Sequence, residues 1–372
     1  MPPDLFIIGA STRALADSAF RLGLQATCLD QYADADLARK ALLVQPLAFD
    51  ESGRPLVSAD MFRNLVGQKP WTYTGPLENQ PEWLALAADA TTLYGNSSAV
   101  CRRVRNLTTL AEWLVSQNSP ITMPQMHPGR NRPSKSAGWL WKPVNSSGGW
   151  NILKARTKFS RQFSIESPET GYWQKQTPGP AFGVTIASDT RSSVVLGTCR
   201  SLHGAPGRPF AYAGSAGPAR ARHVRRLEPI LGELATELAK AFGLKGLWNI
   251  DVVCDPQRGR WFLLEINPRP SASMEVLELA AGQSLLAIHL AIFCNSGDAW
   301  LSQAEDCKKA LGQCRRPVAK RIIYARRPMR FTRHTLPPVC MEKWPSQPFF
   351  ADIPHPGTTI PAGYPVMTRF EF

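Results

Sequence analysis

Two apolar runs late in the chain constrain the fold more than any other feature. Leu247 to Cys254 and Trp261 to Asn267 flank a short turn, Asp255 to Gly259, and so read as the two strands of a hairpin. The first carries Asp251 and the second Glu265 and Asn267, all at or near strand ends. Glu265 and Asn267 are two residues apart, so an extended backbone points both to one face. With Leu263, Leu264 and Ile266 around it, Glu265 sits on a strand that looks buried, and a buried carboxylate demands a cation. Two carboxylates and an amide make a hard oxygen cage for Mg²⁺, which keeps phosphate oxygens among its ligands. Arg269, just beyond, can make bidentate bonds to a phosphoryl group in transfer.

A second element has matching chemistry. Trp139 to Val144 reads as a short strand bearing Lys142, broken by the small-residue loop Asn145-Ser146-Ser147-Gly148-Gly149 and resumed at Trp150 to Leu153. Glycines allow close backbone approach, loop N–H groups and the Ser147 hydroxyl can bond phosphate oxygens, and Lys142 supplies a point charge. The next strand, Gly171 to Gln176, is closed by Thr177-Pro178-Gly179-Pro180.

The remaining pattern is mixed α/β. Leu5 to Ile8, a turn at Gly9 to Thr12, a helix over Ala14 to Leu22 and a strand from Gln25 to Leu29 form the βαβ opening of a doubly wound sheet. Only Gly9 of a GxGxxG pattern is present, so this unit reads as a structural Rossmann-like half. Helices are expected over Pro81 to Ala90, Leu107 to Gln117 and Leu227 to Phe242, the last closed by Gly243, and another starts at Met274. Strands at 182–188 and 193–200 alternate as in a half-covered antiparallel sheet. From about 318 the chain reads as short strands around Pro337-Pro338, Pro356-Gly357 and Pro361 to Gly363. The expected units are 1–98 (Rossmann-like), 99–175 (a small lobe with the phosphate lid), 176–317 (a large lobe with the metal site) and 318–372 (a β-rich C-terminal segment).

Composition narrows the class. With 372 residues at 44% hydrophobic, the chain can bury several cores. There is no run of 18 apolar residues and no signal-peptide pattern at the start, so a soluble, cytoplasmic protein without a membrane partner is expected. The eight cysteines lack metal-site spacing and read as reduced thiols, with Cys307 and Cys314 the one pair to examine. The net charge of +14 lies largely in arginine clusters without interleaved aromatics. It fits solvated faces and a phosphate-binding cleft better than a nucleic-acid groove.

These residues together resemble the ATP-grasp superfamily. Leu264-Glu265-Ile266-Asn267-Pro268-Arg269-Pro270-Ser271-Ala272-Ser273 looks like the family's metal-site strand and loop, with Asp251 at its first metal carboxylate. Trp141-Lys142-Pro143 with Ser146 to Gly149 resembles the lysine and phosphate lid, and Tyr172 to Gly179 the hinge that holds adenine. The resemblance implies an ATP-grasp fold behind an N-terminal Rossmann-like domain. It implies an ADP-forming ligase that activates a small carboxylate as an acylphosphate and joins it to an amine, in the manner of coenzyme (one-carbon carrier) biosynthesis. It further implies ATP with Mg²⁺ or Mn²⁺, anionic small-molecule substrates, and a homodimer among the assemblies open to the chain. The implied roles are Lys142 on the phosphates; Ser147, Gly148 and Gly149 over them; Gln174, Lys175 and Gln176 at adenine; Asp251, Glu265 and Asn267 on the metal; and Arg269, with Lys142, in catalysis.

The sequence departs from the family twice. No lysine matches the family's other ATP lysine, where Arg102, Arg103 or Arg105 can substitute, and Arg105 is the one assigned to the cofactor site. Pro180-Ala181-Phe182-Gly183 stands where an acidic residue commonly holds the ribose. Arg200 to His203 and Phe210 to Ser215 read either as cleft walls or as solvent-facing loops. A kinase on the same fold and a nucleotide-binding protein without catalysis are the alternatives, with a nucleic-acid-binding protein behind them.

Overall fold

The computed structural model describes residues 4–129, 133, 137–155, 171–255, 257–294, 297–332 and 349–372. The chain opens with a parallel sheet in the order β3-β2-β1-β4, formed by β1 (Asp4–Gly9), β2 (Gln25–Asp30), β3 (Leu43–Pro46) and β4 (Trp71–Tyr73). Three helices accompany it: α1 (Arg13–Arg21), α2 (Ala59–Val66) and α3 (Pro81–Ala88). The Asp30 carboxylate at the end of β2 accepts from the Thr12 backbone N–H at 2.5 Å and from its hydroxyl at 2.8 Å. The start of α1, where a doubly wound fold would hold a phosphate, is thus satisfied from within the chain.

Two helices, α4 (Ser98–Arg105) and α5 (Leu107–Ser116), lead into a small antiparallel sheet. Ser97 and Asn106 cap them by accepting from the N–H groups of Val100 and Thr109. After β5 (Ile121–Thr122), the small sheet has the order β6-β9-β7-β8, from β6 (Met126–Pro128), β7 (Trp139–Pro143), β8 (Leu153–Lys154) and β9 (Gly171–Lys175). The strand expected to resume at Trp150 is shorter, because the chain turns through 145–151.

The large sheet is built on β10 (Ala181–Asp189), β11 (Ser193–Ala205), β12 (Arg208–Gly217), β13 (Lys245–Asp255) and β14 (Arg260–Asn267). Its helices are α6 (Arg222–Phe242) and then α7 (Ala272–Ala281), α8 (Leu285–Phe293) and α9 (Ala299–Gln313). The tail is β-rich: β15 (Val318–Tyr324), β16 (Met329–Arg330), β17 (Phe350–Ala351), β18 (Thr359–Ile360) and β19 (Pro365–Glu371). Its longer strands extend the large sheet, whose order is β17-β19-β15-β12-β11-β10-β13-β14-β5. The strands expected near Pro337-Pro338 lie outside the described residues.

Alternation on β13 decides which face is which. Trp248, Ile250 and Val252 are fully buried in a core with Leu227, Leu231, Leu234 and Leu238 of α6. Asn249 and Asp251 therefore face the other side, as the period of two requires. α6 begins a turn earlier than its apolar pattern suggested, with Val224 also buried, and it tolerates Pro229 in its interior. On the opposite face α7, α8 and α9 share one core with residues of the first unit, including Leu5, Ile7 and Leu15. Arg13, buried, pairs there with Glu275 of α7, which also takes Lys320 of β15 at 2.7 Å. The first unit and the large sheet are thus joined by both apolar packing and buried charge. Among the described residues no single helix is long and apolar enough to cross a membrane.

Candidate functional site

Register brings the hairpin acceptors together. Asp251 on β13 lies opposite Glu265 on β14, and Asn249 lies opposite Asn267. The pairing skips Leu264 in a β-bulge, so Val252 meets Leu263. A bulge beside a site re-aims side chains, and here it sets Glu265 and Asn267 on the Asp251 face. The Asn267 amide donates to Asp251 Oδ2 at 3.0 Å, and the Asn249 amide donates to Oδ1 at 2.9 Å. Gly183 of β10 lies opposite Asp251 on its other side, where a Cβ would stand 3.4 Å from Oδ1.

Burial pushes the Asp251 carboxyl up to about 7, and the neighbouring Glu265 charge adds to the shift. Two acids held this closely favour a cation between them. Among the described residues no group of three or more His, Cys, Asp or Glu is arranged to hold a metal. The donor set is two carboxylates and an amide, which suits a hard ion that takes further oxygens from phosphate. Cys307 is buried, and the half-exposed Cys314 thiol donates to the Arg316 carbonyl, so this pair forms neither a disulfide nor a metal site.

The predicted site residues converge on one cavity of about 1230 Å³ between the small and large sheets. Its lining includes Lys142, Ser147, Gly148 and Gly149, with Gln174, Lys175 and Gln176 at the crossing between sheets, and Arg105, Asp251, Glu265, Asn267 and Arg269. Lys142 is half-buried on β7; desolvation lowers its pKa, and the charges of Glu265 and Asp251 oppose that shift. Gln174 is buried, and its amide nitrogen has no hydrogen-bond partner among the described residues. The Lys175 ammonium instead donates to the Ala137 carbonyl at 3.1 Å and lies over the Trp139 ring.

The three candidate arginines separate. Arg105 donates to Glu265 Oε2 at 3.1 Å and to the carbonyls of Val144 and Ser146 at 3.3 and 3.4 Å, linking the acid pair to the loop that follows β7. Arg102 lines the cavity but pairs with the exposed Glu82, and Arg103 turns to the Ala241 carbonyl and the Phe242 ring.

The loop with Gly148 and Gly149 is docked on β12. Tyr212 N–H donates to the Gly148 carbonyl at 2.8 Å, and Gly149 packs so closely that a Cβ would come within 2.2 Å of the Phe210 carbonyl oxygen. Both glycines have φ in the left-handed region, +63° and +69°. Trp150 follows, with the Arg208 guanidinium 4.0 Å over its ring and Tyr364 beside it.

Several lining residues were missed from sequence. Asn249 was within reach, since it is two before Asp251 on the same strand. Glu78 had no such signal: it belongs to the first unit, yet its carboxylate takes Arg269 Nη2 at 2.7 Å. By contrast, Ser201, His203, Tyr212 and Ser215 of β11 and β12 fall in the two stretches read as cleft walls or solvent-facing loops, and they line the cavity.

The cleft thus lies between the small and large sheets, with the glycine loop on one wall and the acid pair of the hairpin on the other. Residues 108–273 match the family model of the ATP-grasp domain. No curated protein matches it by sequence. Among solved structures it is similar to the pyruvate carboxylase of Rhizobium etli, with TM-score 0.69 and 14% identity, over 100% of this chain and 36% of that one. This chain thus spans about a third of that protein. It is similar to the L-amino acid ligase of Bacillus licheniformis, with TM-score 0.62 and 18% identity, over 89% of this chain and 82% of that one. It also resembles the biotin carboxylase domain of the 2-oxoglutarate carboxylase of Hydrogenobacter thermophilus, a structure with MgADP, ADP and bicarbonate. That match has TM-score 0.70 and 13% identity, over 99% of this chain and 86% of the other.

Proposed function

We propose that this protein is an ATP-dependent, ADP-forming ligase that activates a small carboxylate and joins it to an amine. The observation that carries the reading is the meeting of Asp251, Glu265 and Asn267 on one face of a hairpin, in the cavity that also holds Lys142 and the lid glycines. Asp251, Glu265 and Asn267 would hold Mg²⁺, with Mn²⁺ a substitute; such an ion would supply positive charge to offset that of the phosphates. Lys142 and Arg105 bind the phosphates, and Ser147, Gly148 and Gly149 cover them and exclude water. Gln174, Lys175 and Gln176 receive the base, where the buried Gln174 amide has a donor to give. Arg269 stabilises the phosphoryl group in flight.

The chemistry balances in two steps. A carboxylate oxygen of the acid attacks the γ-phosphorus and the bond to ADP breaks, giving an acylphosphate. The amine then attacks the acyl carbon, its proton is lost and phosphate leaves. The L-amino acid ligase among the similar structures supports this class, and the cavity volume suits ATP together with a second substrate. The polar wall of Ser201, His203, Tyr212 and Ser215 fits an anionic acceptor. A cytoplasmic enzyme of coenzyme synthesis, such as the extension of a one-carbon carrier with an amino acid, matches these requirements. The test is a screen of small carboxylic acids against the amino acids with Mg-ATP, reading ADP and phosphate. Release of both only when acid and amine are present is expected. ADP without free phosphate, with a phosphorylated acceptor, would identify a kinase instead.

A further inference from the structure

We infer that Glu78 is a positioning residue for Arg269, so that the first unit of the chain sets the orientation of the arginine at the transferring phosphoryl group. This rests on the ligase reading above, in which Arg269 faces that group. Glu78 lies in the single 3₁₀ turn Leu77–Asn79, just after Tyr73 ends β4. Its side chain is 1% exposed, and Oε1 accepts from Arg269 Nη2 at 2.7 Å. Burial alone would raise the Glu78 pKa, but the Arg269 charge more than offsets it and holds the carboxyl below its usual range. The pair is therefore ionic at neutral pH.

Two further contacts fix the same guanidinium, and a third anchors the backbone beside it. Arg269 Nη1 donates to the Pro270 carbonyl at 3.1 Å. Gly75 lies against it so closely that a Cβ there would be 2.8 Å from Nη2, 3.1 Å from Cζ and 3.2 Å from Nε, and would push the guanidinium aside. Asn96, also from the N-terminal part, donates to the carbonyls of Pro268 and Lys245 at 2.9 and 3.0 Å and accepts from Lys245 N–H. It thus pins the residue before Arg269. An arginine carries five N–H donors. Glu78 and Pro270 use two, and Nε has no partner among the described residues. The donors left over belong to a group that lines the cavity.

A long side chain that must find its orientation during the reaction gives up much of its benefit, whereas one held in advance contributes all of it. A salt bridge that only joined the first unit to the body would affect stability and leave the transfer step alone. The experiment separates these roles on the acid–amine pair that the screen selects, with Glu78→Gln, Glu78→Asp, Arg269→Lys and the double variant Glu78→Gln/Arg269→Lys. Glu78→Gln should lower kcat by about tenfold or more with KM for Mg-ATP nearly unchanged, and Glu78→Asp should recover part of the loss. The double variant should be no slower than Arg269→Lys alone, because both changes remove one function. Full kcat in folded Glu78→Gln, or losses that multiply in the double variant, would overturn the inference. If Glu78→Gln does not fold, Gly75→Ala, which displaces the guanidinium from the other side, must lower kcat in the same way; full kcat there overturns it too. A wild-type protein without ATP turnover on any pair defeats the ligase reading and the inference with it, whereas wild-type turnover that these variants leave intact defeats the inference alone.

Discussion

Replacing Gly149 by alanine tests the lid at the point where the structure is most demanding. The new Cβ would sit 2.2 Å from the Phe210 carbonyl oxygen and 3.0 Å from its carbon, both backbone atoms of an inner strand that cannot step aside. The φ of +69° adds about 1–2 kcal/mol for any residue with a Cβ. The lid must move off β12, losing the Tyr212 N–H bond to the Gly148 carbonyl, a net of about 1 kcal/mol. The docked state is thus disfavoured by about 2–3 kcal/mol, which weakens Mg-ATP binding by up to about 100-fold if docking accompanies binding. Calorimetric titration with Mg-ATP measures this directly. The thermal midpoint of the free protein should hardly change, since no core residue is touched. Wild-type affinity in Gly149→Ala would show that the docked lid is irrelevant to nucleotide binding.

Arg105→Ala should raise KM for ATP by about tenfold in steady-state assays, with Arg105→Lys intermediate because an ammonium lacks the fork that reaches Glu265 and the lid carbonyls together. Asn267→Ala should lower turnover less than loss of a carboxylate does, since it removes a neutral donor, and a magnesium titration of the rate should show the weaker ion binding. Burial would raise the Glu275 carboxyl, yet Arg13 and Lys320 bring it down to about 2. Its pKa is lower folded than unfolded, so its stabilisation is full above about pH 4.5 and is lost as pH falls towards 2. The stability gap between wild type and Glu275→Gln, on the order of 3 kcal/mol at neutral pH, should therefore shrink on acidification in denaturant titrations; a gap independent of pH would contradict the assigned network. Hydrogen exchange at 145–150 should slow when Mg-ATP is added, and equal rates with and without it would deny these residues a lid role.

The site was legible where chemistry and local pattern coincide. Alternation alone places Glu265 and Asn267 on one face, and a lysine strand with a double glycine suggests a phosphate loop, so both ends of the cavity could be read from short segments. The Leu264 bulge and the pairing of Asn249 with Asn267 depend on register, which the sequence does not print. Glu78 depends on the docking of the first unit against the hairpin loop, a contact between distant segments with no motif of its own. Arg105 could be separated from Arg102 and Arg103 only by the direction each side chain takes from α4. Helices α8 and α9 escaped the reading because α8 is apolar on most sides, leaving little periodicity to find. The tail strands were expected as a local β-rich segment, and their place beside β12 follows from long-range pairing.

The central claim is that the acid pair on the hairpin holds the ion that ATP chemistry needs, and Glu265→Gln addresses it most directly. The substitution removes one negative charge and keeps nearly the same shape, on a side chain that pairs with Arg105 at 3.1 Å. ADP release from Mg-ATP should be measured with the selected acid and amine, beside a thermal melt that verifies folding. The account predicts an intact melt and a turnover lower by a factor of about a hundred or more. A folded Glu265→Gln protein with wild-type, magnesium-dependent turnover would contradict it.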